Sequence, residues 1–348
     1  MHANVTTMSA TDKPIVSVVG PGRMGTGIAQ ALAVGDYPVQ LVDVKARPAE
    51  DSRQSLAAAR QQVEAGLSLL ASIGFLDDAS RDRALGLVSY CDDSEADDAL
   101  SRSHAVFEAV PEILDAKRST FARIGDVVPA TALVASTTST FGVVELSALL
   151  HGPTRFMNTH WLNPPTLIPL VEVAASAATS DDSVAAMLQL LRDAGKVPVR
   201  CASSPGFIVP RIQAVAMNEA ARMVEEGVAD PDTIDAACRL GFGIRFATMG
   251  LVEFIDWGGV DTLLHASTYL QNALGSDRYG PPEIVTRKVE SGALGLKTGR
   301  GFRDLDGRDL DEYQRETLQR IVDLLAHLDL LRRPLPPERP TQEHGSDP

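Results

Sequence analysis

The chain has 348 residues, which at roughly 150 residues per domain predicts two domains. With 44% hydrophobic, 22% charged and 5% aromatic residues, a mainly disordered or fibrous chain is excluded. The formal net charge of −14 repels phosphodiester backbones, which argues against nucleic acid and leaves a small molecule as partner.

Residues 1–13 are polar and contain no apolar signal core. No run of eighteen apolar residues follows, so a soluble, cytoplasmic protein with no membrane partner is expected. Residues 15–19, 39–42, 105–110 and 133–135 are β-rich and nearly continuous in apolar character, as buried parallel strands are. Helical stretches such as 24–34 and 115–125 lie between them. This alternation predicts a doubly wound α/β sheet. Residues 47–87 interrupt it with a helical pattern (Leu56, Val63, Leu67, Leu70) that Gly74 breaks into a hairpin. The acidic run 92–98 reads as a solvated loop.

Further strands are expected at 155–159, 167–173 and 197–200. Ser203-Ser204-Pro205-Gly206 is turn chemistry, and from there to about Leu274 the period is helical. The expected division is therefore an α/β domain over 1–202, an all-α domain over 203–332 and a flexible tail over 333–348. Leu318, Ile321, Val322, Leu325 and Leu328 form one more amphipathic stripe. The three cysteines (Cys91, Cys201, Cys238) are too few and too widely spaced for a disulfide framework or a zinc site. No metal is expected.

Gly20-Pro21-Gly22-Arg23-Met24-Gly25 matches G-x-G-x-x-G between a strand and a helix. The first glycine permits the tight turn, the second a close approach to a pyrophosphate, and the third helix-on-sheet packing. The helix start then offers free N–H groups to phosphate. Asp43 ends the next strand, 23 residues after Gly20. A carboxylate there accepts from the adenosine ribose and repels a 2′-phosphate, which favours NAD over NADP. Lys45 and Arg47 stand close enough to weaken that preference.

Of seven histidines, His2, His104, His151, His265, His327 and His344 read as structural or solvated. His160 differs, because it closes a strand and precedes the turn Trp161-Leu162-Asn163-Pro164-Pro165. Ligands bind at such strand ends. Twelve residues on, Glu172 sits inside the apolar segment Leu170-Val171-Glu172-Val173, where an acid is costly unless paired. A His160–Glu172 pair would fix the imidazole tautomer and leave the other nitrogen to take a proton. Taken alone, Glu172 could instead be exposed on an edge strand. Ser136-Thr137-Thr138-Ser139-Thr140 could likewise be a polar turn and helix cap, or could bind a substrate oxygen.

Together with Glu112, Lys117, Pro205-Gly206-Phe207 and Lys297-Thr298-Gly299-Arg300-Gly301-Phe302, these pieces resemble the L-3-hydroxyacyl-CoA dehydrogenase family over about residues 14–303. The resemblance implies a Rossmann-like N-terminal domain with a helical hairpin insert and an all-α C-terminal domain that dimerises. It implies His160 as general base, Glu172 as its orienting carboxylate and Ser139 on the substrate 3-oxygen. Glu112, Lys117, Ser139, Asn163 and Lys297 would lie around the NAD ribose, phosphates or nicotinamide, with Gly20, Pro21, Gly22, Arg23, Met24, Gly25 and Asp43 forming the rest of the NAD site.

Two departures concern the substrate. Pro210 stands where the family usually has Asn. Residues 45–90 carry six basic and six acidic side chains, where the family's hairpin is usually lysine-rich. Asn163-Pro164-Pro165 and Met223-Val224-Glu225-Glu226-Gly227 also resemble the branch acting on small free acids, the L-gulonate dehydrogenase and lambda-crystallin group. The expected activity is reversible NAD-linked oxidation of a short 3-hydroxyacyl-CoA such as 3-hydroxybutyryl-CoA. The alternatives are a free 3-hydroxy acid (L-gulonate- or carnitine-like) and a non-catalytic NAD-binding protein. A homodimer is expected through the helical half, where Phe246, Met249, Phe254 and Trp257 could be interface or core.

Overall fold

The computed structural model describes residues 13–331. His2, His344, the N-terminus through residue 12 and the expected tail 333–348 lie outside them. The chain divides into two compact units, Met1–Met217 and Asn218–Pro348.

In the first unit, β1 (Val16–Val19), α1 (Arg23–Val34) and β2 (Val39–Val42) lead into α2 (Ala49–Ser72) and α3 (Asp78–Gly86). There follow β3 (Val88–Cys91), α4 (Ala96–Ser101), β4 (Ala105–Glu108), α5 (Leu114–Val127), β5 (Leu133–Ser136) and α6 (Val143–Ser147). The unit continues through β6 (Phe156–Trp161), β7 (Leu170–Ala175), α7 (Asp181–Asp193) and β8 (Val197–Ala202) into α8 (Val209–Glu225), which crosses into the second unit. The eight strands form one sheet in the order β3-β2-β1-β4-β5-β6-β7-β8. The first six are mutually parallel in a doubly wound order. β7 reverses against β6, and β8 runs parallel to β7.

Apolar residues run unbroken along the strands because both faces of the sheet are covered. Val18, Phe107, Ala135 and Met157 face α1, α2 and α7 through Ile28, Leu32, Val63, Leu67 and Met187. Their neighbours Val19, Val106, Val134 and Phe156 face the opposite way, onto α4, α5 and α6 through Leu100, Phe121, Ile124 and Leu146. The hairpin forms as its pattern predicts. Gly74 turns the chain at φ +76, and the Asp77 carboxylate caps α3 by accepting from the Ser80 amide at 2.7 Å. Val63, Leu67 and Leu70 are buried, while Leu56 is only half-buried and Ala59 takes its place on the inner face.

One element goes unread in the sequence, and one expectation fails. β3 has no apolar run to announce it, because Val88-Ser89-Tyr90-Cys91 is an edge strand buried only at its first residue. The acidic run 92–98 is not simply a solvated loop. Asp97 and Asp98 open α4, where the helix dipole favours carboxylates, and Asp97 accepts from Arg123 Nε at 2.6 Å.

The second unit is helical, as expected. It contains α9 (Pro231–Ala237), a π-turn (Cys238–Gly243), α10 (Ile244–Thr248), α11 (Leu251–Gly258), α12 (Val260–Leu274), α13 (Glu283–Glu290) and α14 (Leu310–His327). Met249 is buried, whereas Phe246, Phe254 and Trp257 are half-buried. On α14 the buried residues are Tyr313 and Thr317. Leu318, Val322 and Leu328 of the expected stripe are exposed. No described helix is long and apolar enough to cross a membrane.

Candidate active site

The reversal of β7 places His160 directly opposite Glu172 across an antiparallel pair, the position at which side chains on one face meet. His160 Nδ1 lies 2.8 Å from Glu172 Oε2. An ionised carboxylate only accepts, so Nδ1 donates and Nε2 keeps its lone pair. Glu172 Oε1 accepts from the amides of Ile208 at 2.8 Å and Val209 at 2.9 Å. The acid is completely buried on a strand with neighbours on both sides, and these bonds offset the cost of burying it. The exposed-edge alternative therefore fails. Phe207 stacks on the imidazole with centroids 4.8 Å apart. Its φ of 46 lies in the left-handed region, a strain tolerated where the surroundings over-determine the backbone.

A second polar cluster closes the carboxyl ends of β4 and β5. The Lys117 ammonium, fully buried on α5, donates to Glu108 Oε1 at 2.9 Å and Oε2 at 3.1 Å, and pairs with Glu112 Oε2 at 3.2 Å. The Ser136 hydroxyl and the Val110 amide also donate to Glu108. Burial pushes the Glu108 carboxyl up, against the pull of Lys117 and these donors. Burial acts on Glu112 in the same sense, but the Ser139 amide, the Thr138 hydroxyl and Lys117 together hold it below its ordinary range. Ser139 is exposed, and its amide donates to Glu112 Oε1 at 2.7 Å. The hydroxyl cluster is thus partly a cap, with Thr138 Oγ1 accepting from the Phe141 amide at 3.0 Å.

The glycine loop has the geometry its pattern requires. Gly20 sits at φ +109, and a Cβ there would meet the Ala109 carbonyl at 2.7 Å. A Cβ on Gly25 would overlap the Gly20 carbonyl, while Gly22 faces open space. Gly22 offers no side-chain cap to α1, and the first turn carries no acid, so the positive helix end is uncovered. The buried Asp43 accepts from the Lys45 amide at 3.1 Å and from the Ser55 hydroxyl at 3.0 Å, and is ion-paired with Arg47. One cavity of about 1090 Å³ is lined by the 20–24 loop, Asp43, Glu112, Lys117, Ser139, His160 and Asn163. Pro210 and Gln213 lie on its wall.

A family model described as 3-hydroxyacyl-CoA dehydrogenase, NAD binding domain, matches residues 15–204, and its C-terminal domain counterpart matches residues 206–305. The chain belongs to the 3-hydroxyacyl-CoA dehydrogenase family. A probable 3-hydroxybutyryl-CoA dehydrogenase of Deinococcus radiodurans is 33% identical over 82% of this chain and 98% of its own. The 5-formyl-3-hydroxy-2-methylpyridine 4-carboxylate 5-dehydrogenase of Mesorhizobium japonicum is 31% identical over 88% of this chain and 96% of its own. Among solved structures, the 3-hydroxyacyl-CoA dehydrogenase of Archaeoglobus fulgidus superposes with a TM-score of 0.73 at 29% identity, covering 91% of this chain and all of that one.

As a member of this family the protein is an NAD-dependent oxidoreductase. Its residues fit the cofactor, because the space before Gly22, the bare helix start and the acid at the end of β2 share one cavity. Of the expected site residues, all but three line this cavity. Gly25 is buried in α1 behind the loop. Glu172 stands behind His160. Lys297 belongs to the second unit, where its ammonium donates to both carboxylate oxygens of Asp261 at 2.9 and 2.8 Å. Sequence reasoning missed Glu108, Phe207, Ser55 and Lys196. Glu108 carried the signal that exposed Glu172, an acid inside an apolar strand (Ala105-Val106-Phe107-Glu108). The other three make contacts that no spacing announces.

Proposed function

We propose that the protein interconverts a short-chain L-3-hydroxyacyl-CoA, such as 3-hydroxybutyryl-CoA, and its 3-oxo form. The observation that carries this reading is the His160–Glu172 pair, with His160 on the cavity wall. The NAD+ cofactor, when bound, supplies the acceptor for hydride from C3. His160 Nε2 takes the hydroxyl proton, and Glu172 balances the imidazolium and holds its tautomer. Ser139 turns its hydroxyl to the 3-oxygen. Asp43 would accept from the adenosine ribose, and the Gly20–Gly25 amides would hold the pyrophosphate. Glu112, Lys117 and Asn163 would complete the ribose and nicotinamide surroundings.

The decisive experiment compares acetoacetyl-CoA with free 3-oxo acids in NADH oxidation. Faster turnover of the thioester supports the proposal. Preference for the free acids supports a second reading, a dehydrogenase of free 3-hydroxy acids. Side-chain pairing around the hairpin favours that second reading. Arg47, Arg53, Arg81 and Arg83 are all tied to carboxylates, and Arg60 lies over the Tyr90 ring, so few cations are free for a nucleotide's phosphates. The proposed domain division is 1–202 and 203–332, with the helical part pairing two copies. Val215 and Met217 on α8 are 70% and 69% exposed, and light scattering at dimer mass is the expected result.

A further inference from the structure

We propose that Lys196 is a positioning residue for the reaction, its ammonium holding the β6–β7 loop and Asn163 against the cavity wall. This rests on the reading above that the cavity is the reaction site. Lys196 is 7% exposed and stands immediately before β8. Its Nζ donates to three carbonyls of one loop, those of Pro165, Thr166 at 3.3 Å and Ile168 at 3.2 Å. The Trp161 ring centroid lies 5.9 Å from it, and among the described residues it forms no ion pair. The next residue ties the same loop to the sheet, as the Val197 amide donates to the Pro169 carbonyl at 2.8 Å.

The loop is wedged from the other side by the dinucleotide helix. Gly27 of α1 leaves room for Pro165, whose Cδ would lie 3.0 Å from a Cβ at that position. Inside the loop, the Leu167 and Ile168 amides turn back to the Pro164 carbonyl at 3.1 and 3.0 Å. The carbonyls of 165, 166 and 168 therefore point to the lysine. Asn163, three residues after His160, lines the cavity at the start of this loop.

The donor count makes the device sensitive to pH. An ammonium carries three N–H groups, and three carbonyls take them. A neutral amine carries two, so deprotonation removes one bond. Burial pushes Lys196 down to about 8, so the loop is fully held below that value and loosens above it.

The experiment compares hydrogen exchange over residues 162–170 in wild type, K196R and K196M, well below and well above pH 8, corrected for intrinsic exchange. kcat and the KM for NADH are measured beside it. K196M is expected to exchange roughly tenfold faster in this segment and to lose kcat roughly tenfold, the scale of one to two lost hydrogen bonds. Its KM for NADH should stay within about threefold, because the adenosine end is untouched. Wild type should drift towards K196M above pH 8, while K196R, permanently charged, should not. Unchanged loop exchange in a folded K196M, or coincident pH profiles for wild type and K196R, would overturn the proposal. If no acyl-CoA is turned over, the exchange data still decide the role of the lysine, and the substrate reading fails separately.

Discussion

The two ends of the cofactor cavity hold their acids in opposite ways. At the reaction end, Glu172 is completely buried, and two of its three partners are backbone amides. At the other end, where the proposed function puts the adenosine, Asp43 is held mainly by the side chains of Arg47 and Ser55. Backbone donors cannot swing away, so the imidazole is oriented before any substrate arrives. Side-chain donors can, so Arg47 and Ser55 can yield the Asp43 oxygens to ribose hydroxyls. On the proposed function, the comparison teaches that one end is preorganised for chemistry and the other is exchangeable for binding.

Substitutions can break or sharpen this contrast. The largest effect is expected from His160→Ala, a fall in kcat of ~10²–10⁴ with NADH affinity nearly unchanged by fluorescence titration. Activity surviving within a few-fold would remove His160 from the mechanism. Glu172→Gln keeps the shape but allows the wrong tautomer, and should lower kcat by about 10² while KM for NADH holds steady. Asp43→Ala should act at the other end, raising KM for NAD by roughly tenfold and narrowing the gap to NADP. Equal losses with both cofactors would count against the ribose role. The smallest change is expected from Ser55→Ala, about 0.5–1.5 kcal/mol in NAD affinity with kcat intact. A kcat loss there would mean that the two ends are coupled.

Much of this arrangement was legible because it is local. The glycine loop, its strand and helix, and Asp43 fall within one short stretch whose periods change on cue. The His160–Glu172 spacing was readable too, although nothing in the residues announced the strand reversal that brings the pair together. β3 was missed because an edge strand buries too little to need an apolar run. Glu108 stood as an acid in an apolar strand, but its pairing with the buried Lys117 leaves no periodic trace. The contacts of Lys196 depend on where a loop returns, which side-chain type alone does not encode. On α14 the apolar stripe was real as a pattern, yet the described chain buries Tyr313 and Thr317 instead.

The turnaround between β6 and β7 also bears on how this scaffold can diversify. Because strand pairing itself sets imidazole against carboxylate, a one-residue slip of β7 would turn Glu172 to the far face of the sheet, away from His160, whereas residues inserted at the bend would leave their alignment intact. Selection can therefore rewrite that bend, and with it the mouth of the cavity, without touching the His160–Glu172 pair.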